Sequence, residues 1–548
     1  MIYENPIVPG FAPDPSVVMV ESVFYLVNSS FHLYPGLPIY ASHNLQEWTH
    51  IGNAINRPNQ LSLARAGVDG FPIGGGQAII AATGLFAPTI RYHKGTFCII
   101  CTNVRKEGDR LNTQNFYVTT HDIWADQWSD PIYFEFEGID PSLYFDEDDH
   151  VYIQGSWHAG PLGNPTCSIR QFEVEITTGK PLSEIKTIWT GHLSKGDVEG
   201  PHIYKKDGYY YLMAAEGGTW QHHCITISRS THIWGPYESY AANPILTGDG
   251  TDEYVQHTGH GDLFEDASGN WWAVHLGIRN EENRRAPMGR ETFLTPVHWS
   301  EGEWPRIQQT RISFNSVEIE GGQNLALETF KKNGPTDKGF LYLRTPQLSD
   351  YKISFDRKMI SLVARANNLS VGEGTASFLG QRQRGLTCTA FATLHLQRDQ
   401  LQKGSVSLTK AGLSVFKDDI RHIDSYYDFA TDSIYVAHTN KLKSKTNSAI
   451  LSSHPAAEDT ELIIFEIRAS PNKYEFFFRE VQKDIEDSSS ATDWVCAGSV
   501  DTIEMTALDF TGPCFGIFAT SPEQSEDDEP KRSIPEVLFG DFKVIKLS

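Results

Sequence analysis

The chain has 548 residues with a formal net charge of −23, and 40% of its residues are hydrophobic and 12% aromatic. A chain of this length is too long for one hydrophobic core, so we expect two domains. The negative charge argues against nucleic acid as a partner, because phosphate binding needs clustered lysine and arginine. The sequence has no run of about 18 apolar residues and therefore predicts no membrane-spanning helix.

The start of the chain and its cysteines bear on its location. The N-terminal segment MIYENPIVPGF has neither the basic region nor the apolar region of a secretory signal. Seven cysteines form an odd set, which favours reduced thiols. We therefore expect a cytoplasmic location, or secretion if a signal has been removed. Cys98 and Cys101 form a C-x-x-C pair without a second pair, which we interpret as structural rather than as a zinc site.

Five stretches of the chain share one pattern, which consists of a turn signal, a short apolar strand, a polar turn and a second, aromatic-rich strand. These stretches are residues 11–30, 84–103, 138–157, 197–218 and 258–276. From the second stretch onward they recur roughly every 50–60 residues, a spacing that favours propeller blades over a single sandwich. The sequence therefore predicts an all-β protein that begins with a five-bladed β-propeller.

Three of these stretches contain, near their start, a carboxylate beside proline or glycine. The three are Asp14 in FAPDPS, Asp140 in GIDPS and Glu199 in VEGPH. In a propeller these residues start the innermost strands of different blades, around a central funnel. A lone Asp-Pro-Ser is a common turn, but matching positions in a repeat favour an acid/base site. Hydrolysis of a glycosidic bond needs one carboxylic acid and one carboxylate.

The second half of the chain contains strand patterns without the blade motif. They cover residues 350–360, 461–480, 513–520 and 537–547, and they predict an antiparallel β-sandwich. We expect a propeller domain at 1–312 and a concanavalin-like or jelly-roll-like sandwich at 325–548. The three glycines at 74–76, between the first and second stretches, are interpreted as a flexible connection.

Asp14, Asp140 and Glu199, together with Arg290 in MGRETFL, resemble the pattern of glycoside hydrolase family 43. The resemblance is to its two-domain β-xylosidases and α-L-arabinofuranosidases with a C-terminal β-sandwich. It implies an exo-acting, inverting enzyme that releases xylose from the non-reducing end of β-1,4-xylo-oligosaccharides and leaves arabinofuranose open as a second product. The alternatives are an enzyme that is mainly an α-L-arabinofuranosidase and a sugar-binding propeller without catalysis.

The resemblance also assigns roles to the three carboxyl groups. Asp14 is expected to be the general base that activates water, and Glu199 the general acid. Asp140 is expected to orient the acid and to keep its pKa raised, since a nearby negative charge disfavours ionisation. Base and acid then come from non-adjacent blades, which suits an inverting pair separated by roughly 6.5–9.5 Å.

Six further side chains, His260 among them, are expected to bind substrate. Arg290 offers a fixed fork of donors to sugar hydroxyls. Phe31, Phe86 and Trp157 are expected to form the apolar wall of a pocket for one sugar ring. Similar enzymes commonly have tryptophan at the position of Phe86, so that wall differs here. Phe510 lies in ALDFTGPCFG, which resembles the sandwich loop that closes the pocket in two-domain relatives.

His260 opens the fifth stretch. In similar enzymes this histidine either holds a divalent cation, usually calcium, through waters at the propeller centre or only forms hydrogen bonds. We favour the second role, because a hard cation prefers oxygen ligands and no carboxylate cluster adjoins His260 in the sequence. The resemblance implies no required cofactor. The expected partner is a xylo-oligosaccharide or an arabinoside, with no nucleic acid and no membrane, and a homo-oligomer is left open.

Overall fold

The computed structural model describes the chain except for 75–76, 108–109, 160–165, 194, 221, 320–326, 329, 331–338, 357, 398–408, 444–448, 483–491, 523–534 and 548. Most of the described residues lie in β-strands, and the chain divides into two compact units. Short 3-10 helices lie at Ile123–Ala125, Glu282–Arg284, Leu348–Asp350 and Thr502–Met505. Within this described part, no helix has the length and apolar character needed to cross a bilayer.

Five antiparallel sheets, each built on a path of four strands, form most of the first unit. In order from the inner strand, blade 1 contains Ser16–Val20, Val23–Val27, Gly36–Ser42 and Thr49–Ile55, and blade 2 contains Thr89–His93, Thr96–Glu107, Arg110–Thr120 and Ile132–Phe134. Blade 3 contains Gly138–Phe145, Val151–Ala159, Thr166–Glu175 and Lys180–Pro181. Blade 4 contains Glu199–Lys206, Tyr209–Glu216, Cys224–Ser230 and Glu238–Ser239, and blade 5 contains Val255–Glu265, Trp271–Arg279, Glu291–His298 and Arg306–Ile307. Blades 2, 3 and 4 have one more short strand each, at Gly84–Leu85, Lys186–Trp189 and Leu246–Thr247.

The inner strands of the five sheets contact one another in a closed cycle, from blade 1 through blade 5 and back to blade 1. This cycle confirms the five-bladed β-propeller predicted from the repeats. The N-terminal strand Ile2–Glu4 pairs antiparallel with Ser313–Asn315. Tyr3 is fully buried there and contacts the rings of Phe314 and Trp272. The first strand of the chain therefore packs against the end of the propeller.

A buried ion pair joins four of the inner strands. Asp262 of blade 5 accepts two hydrogen bonds from Arg91 of blade 2, at 2.8 and 3.2 Å. It also accepts from Ser16 of blade 1 at 2.6 Å and from Tyr204 of blade 4 at 2.7 Å. Burial opposes the ionisation of Asp262, but Arg91 and His202 outweigh this cost and lower its pKa. Because the charge of Asp262 is paired and hydrogen-bonded on several sides, burying it costs little free energy. Its contacts therefore link the blades.

The second unit contains two antiparallel sheets with a shared core, as expected for a β-sandwich. In spatial order, the first sheet consists of Tyr351–Ser354, Met359–Val363, Glu536–Lys546, Cys388–His395, Thr460–Ala469, Lys473–Gln482 and Val495–Asp501. The second consists of Ser377–Arg382, Cys514–Thr520, Lys410–Asp418, Arg421–Asp428, Ser433–Asn440 and Ala449–Pro455. Alternate residues such as Ile463 and Phe465 of one sheet and Leu413 and Val415 of the other are fully buried in this core. Two further short strands lie at Leu33–Tyr34 and Tyr342–Leu343.

Two segments that lie within the predicted propeller range belong to the second unit, namely 62–82 and 281–289. Strands Val68–Gly74 and Gln77–Ala82 form an antiparallel hairpin, and the latter pairs in parallel with Leu508–Asp509. Of the three glycines expected to form a flexible connection, Gly74 ends the strand Val68–Gly74, and the other two lie outside the described residues. The strand Gln77–Ala82 has its parallel partner more than 400 residues further along the chain, so no local sequence pattern reveals the pairing. The predicted domains, 1–312 and 325–548, are each continuous and do not include this assignment of two earlier segments to the second unit.

Candidate active site

Asp14, Asp140 and Glu199 lie at or beside the starts of inner strands, His260 lies within the inner strand of blade 5, and the backbone is irregular at this level. Asp14, Asp140 and His260 have positive φ angles of 52°, 53° and 38°. Register shifts interrupt the first hairpins of blades 3, 4 and 5 at this level, between Ile139 and Ser142 in blade 3. Bulges re-aim side chains, and left-handed non-glycine residues persist where the surrounding structure holds them. The irregularity thus accompanies the functional positions in several blades.

Three of the predicted residues form a tight cluster. One carboxylate oxygen each of Asp140 and Glu199 and one ring nitrogen of His260 all lie within 4.8 Å of one another. The Nδ1 atom of His260 lies 3.9 Å from Oδ2 of Asp140. The sequence shows no cluster of carboxylates beside His260, and it is the propeller that brings residues of blades 3, 4 and 5 together here.

Asp14 is buried and bound by Arg290. The guanidinium nitrogens of Arg290 lie 3.2 and 3.5 Å from the two carboxylate oxygens of Asp14, and the Ser29 hydroxyl donates to Asp14 at 2.6 Å. Arg290 also donates to the Thr219 hydroxyl at 3.0 Å. Arg290 therefore lies in the site beside Asp14 rather than on the surface. Ser29 and Thr219 have no motif of their own in the sequence and were not predicted; they follow the second strands of blade 1 and blade 4.

The electrostatics of the cluster favour a retained proton. Burial, helped by the negative charge of Asp14, raises the pKa of Glu199 to about 7. Burial also raises the pKa of Asp140, and the charges of Glu199 and Asp14 raise it further. The Arg290 guanidinium acts in the opposite direction on both groups. Because neighbouring carboxyl groups titrate as one system, the Asp140–Glu199 pair keeps a proton at neutral pH.

Phe31 and Phe86 form an aromatic wall beside Arg290. Their ring centroids are 5.3 Å apart in an edge-to-face arrangement, and the Arg290 guanidinium lies 5.5 Å from the centroid of Phe31. Trp157 lies on blade 3, edge-to-face with Phe136, with the Arg170 guanidinium 4.3 Å from its ring centroid. The structure thus groups Phe31, Phe86 and Arg290, while the substrate contacts expected of all of them, including Trp157, stay predictions.

Phe510 belongs to the second unit. It follows the short strand Leu508–Asp509, and its backbone N–H donates to the carbonyl of Ile80 at 3.3 Å. The side chain is partly exposed. Its expected position at the mouth of the pocket stays a prediction.

His260 is buried, and burial lowers its pKa, so the ring is neutral at neutral pH. The cluster around it offers two carboxylates and one imidazole nitrogen. Calcium takes six to eight oxygen ligands, and a directly bound ion would displace the proton that Asp140 and Glu199 share. These donors therefore do not fit directly bound calcium. A calcium ion held through waters stays a prediction.

A carboxyl pair that keeps a proton, next to an arginine-bound carboxylate, supplies the acid and the base that hydrolysis of a glycosidic bond requires. Placed at the inner strands of a propeller, this site defines a glycoside hydrolase. Residues 3–305 match the family model "Glycosyl hydrolases family 43". Residues 328–529 match the model "Beta xylosidase C-terminal Concanavalin A-like domain". The chain belongs to glycoside hydrolase family 43.

Relatives match along most or about half of the chain. A non-reducing end alpha-L-arabinofuranosidase of Bacteroides ovatus is 31% identical over 534 residues, which cover 95% of this chain and 92% of that protein. A xylosidase/arabinosidase of Butyrivibrio fibrisolvens is 41% identical over 318 residues, 56% of each chain. The crystal structure of a xylan beta-1,4-xylosidase from Bacillus halodurans superposes with a TM-score of 0.82 at 26% identity and covers 99% of this chain and 100% of that chain.

Proposed function

We propose that this protein is an inverting exo-glycosidase that releases xylose from the non-reducing end of β-1,4-xylo-oligosaccharides and also accepts terminal arabinofuranose. The names of the relatives from Butyrivibrio fibrisolvens and Bacillus halodurans support the xylosidase activity. The Bacteroides ovatus relative, which matches nearly the whole chain, supports arabinofuranosidase activity as the second candidate for the main reaction.

In the proposed reaction, the carboxylate of Asp14 takes a proton from a water molecule while that water attacks the anomeric carbon. Glu199 donates its proton to the glycosidic oxygen as the carbon–oxygen bond breaks. The attack from the opposite face inverts the configuration. Arg290 holds Asp14 in place, burial and the charge of Asp14 keep Glu199 protonated, and Asp140 orients Glu199. Exchange with solvent restores both carboxyl groups.

The observation that carries this proposal is the contrast between the carboxyl groups. Asp14 has an arginine as its ion-pair partner, whereas burial and negative charge raise the pKa of Glu199 to about 7. Two carboxyl groups whose surroundings differ in this way are suited to the roles of base and acid.

The first experiment is an activity panel on aryl β-xyloside, aryl α-arabinofuranoside, xylobiose and arabinan. We expect release of xylose and arabinose from the first three and little from arabinan. A protein that binds these sugars without turnover would support the sugar-binding alternative.

NMR within the first minutes should show α-xylose from a β-linked substrate, and initial β-xylose would contradict the role of Asp14.

A further inference from the structure

The segment that leads into Glu199 is held by a second buried carboxylate. Glu216 lies at the end of the strand Tyr209–Glu216 and is only 1% exposed. Its Oε1 atom accepts from the backbone N–H of His192 at 2.7 Å and from the Thr226 hydroxyl at 2.6 Å. Its Oε2 atom accepts from the backbone N–H of Leu193 at 2.8 Å. Charge-assisted bonds of this kind are about twice as strong as neutral ones.

The chain between Leu193 and Glu199 has further anchors. The Gly196 carbonyl accepts from the backbone N–H of Cys167 at 2.7 Å, and the Val198 carbonyl accepts from the Ser156 hydroxyl at 2.7 Å. The segment has no regular secondary structure where the structure describes it. Its path therefore depends on these contacts rather than on a sheet or helix.

Glu216 is also linked to Glu199 through the first hairpin of blade 4. Glu199 pairs in register with Ala215, the residue before Glu216. Gly191 lies so close to Glu216 that an added Cβ atom would be 2.6 Å from its Oε2 atom. The Glu216 carboxylate thus holds the segment that precedes Glu199, and the strand that carries Glu216 pairs with Glu199 itself.

We propose that Glu216 is a positioning residue for the general acid. By fixing His192 and Leu193, it sets the direction in which Glu199 enters the site, and so the line from its carboxyl group to the glycosidic oxygen. This inference rests on the proposed role of Glu199. Small displacements of a catalytic group cost much of its effect, because proton transfer depends on geometry.

Such a role has a specific kinetic signature. Xylobiose has a poor leaving group that needs protonation, whereas 2,4-dinitrophenyl β-xyloside has one that leaves without it. A change that misplaces only the acid therefore slows xylobiose hydrolysis far more than dinitrophenyl xyloside hydrolysis. A change that merely loosens the fold slows both alike.

The experiment compares Glu216→Gln with Asp266→Asn in the full-length protein. Asp266 is a matched control, since it is 5% exposed and accepts from the backbone N–H groups of Ser268 and Asn270 and from the Trp272 indole at 2.9, 2.9 and 3.0 Å. It caps the turn between the first two strands of blade 5. Both substitutions replace one carboxylate oxygen by an amide donor.

We expect Glu216→Gln to lower kcat on xylobiose roughly 10-fold to 100-fold, part of the roughly 10²–10⁴-fold supplied by general acid catalysis. Its kcat on the dinitrophenyl xyloside should fall less than about threefold, with KM for both substrates nearly unchanged. Asp266→Asn should change the two substrates equally. Thr226→Val, which removes one donor to Glu216, should show the same selectivity in weaker form and serves if Glu216→Gln fails to fold.

Glu199→Gln distinguishes the positioning role of Glu216 from the proposed role of Glu199 itself. If it slows xylobiose selectively while Glu216→Gln and Thr226→Val slow both substrates alike, the positioning role of Glu216 is wrong and the acid assignment stands. If Glu199→Gln itself shows no selectivity, the proposed function of Glu199 fails first.

Discussion

Arg290 holds Asp14 with both terminal nitrogens while it also donates to Thr219. A lysine has one nitrogen and can reproduce only part of this fork. We expect Arg290→Lys to lower kcat/KM on aryl β-xyloside roughly 100-fold, in the range seen when one electrostatic contact in an active site is lost. Steady-state kinetics measure it. Arg57→Lys, at the exposed ion pair with Asp130, should leave activity unchanged.

With Glu199 as the proposed general acid, its raised pKa of about 7 should set the alkaline side of the pH profile. The acid is active in its protonated form, so activity is present below this pKa and is lost as pH rises through it. We expect kcat/KM on xylobiose to fall towards tenfold per pH unit above about pH 7. In Glu199→Gln the remaining activity should lack this alkaline fall. A wild-type profile that is flat to pH 9 would contradict the assignment.

The motif positions explain which site residues the sequence predicted. Asp14, Asp140 and Glu199 could be found because each opens a copy of the same repeat. Ser29 and Glu216 could not, because each lies at the far end of a hairpin and acts on a segment that the fold brings close. Residue types at the starts of strands can be read from the sequence, whereas the contacts of Ser29 and Glu216 depend on how the strands pair.

At the scale of elements, the inner strand of blade 4 needs glycine directly after Glu199. Gly200 has a φ of +58°, and an added Cβ atom would lie 2.8 Å from the ring of His260. Gly208, in the turn of the same hairpin, has a φ of +77° and no atom within 4 Å of such a Cβ. An added Cβ atom would therefore strain the backbone at both positions. Only at Gly200 would it also collide with a residue of the site.

We accordingly expect Gly200→Ala and Gly208→Ala to cost similar stability from strain, about 1 kcal/mol. Only Gly200→Ala should also lower activity, by roughly tenfold or more, since it displaces His260 or Glu199. Thermal unfolding and kcat on xylobiose measure the two effects. Equal activity of the two variants would show that His260 and Glu199 tolerate the added methyl group.

Elements whose partners are distant in sequence set the limit of prediction for the fold. The blades could be predicted because their strands pair with the next strand along the chain, which leaves a repeating pattern. The hairpin Val68–Gly74 with Gln77–Ala82 lies between two blades in sequence but pairs with Leu508–Asp509. Pairing at this separation has no local sequence signature, so the sequence predicts two domains that are each one uninterrupted range of residues.

At the scale of the whole molecule, several buried histidines make the propeller sensitive to acid. Burial lowers the pKa of His275 and His257 to about 4 and that of His202 to about 3, against an unfolded value near 6.5. The unfolded chain takes up these protons first. Stability is therefore full above about pH 6.5 and declines as pH falls, by up to about 1.4 kcal/mol per pH unit for each histidine.

We expect the Tm of the protein to fall between pH 7 and pH 5. In His275→Gln this fall should be smaller, because one buried site that resists protonation is gone. His298→Gln, at an exposed position, should keep the slope of the wild type. Calorimetry at matched ionic strength measures it, and identical slopes in all three proteins would contradict the role of His275.

A chain cut at residue 320 keeps the segment 62–82 but loses Leu508–Asp509, its strand partner. We expect this fragment to aggregate, since an open strand edge is a template for pairing with other chains. Replacing 62–82 by a short glycine–serine linker should restore solubility, as judged by size-exclusion chromatography. A soluble, monomeric 1–320 fragment would show that the hairpin does not need its partner.

The same pairing imposes a delay during protein synthesis. More than 400 residues separate Ala82 from Leu508, and a ribosome that adds roughly 5–20 residues per second needs on the order of 20–80 s to translate them. For that time every nascent chain carries the unfinished edge. Neighbouring ribosomes on one messenger display identical edges side by side. The yield of this protein in a host should therefore depend on elongation speed and on chaperones that shield the early hairpin.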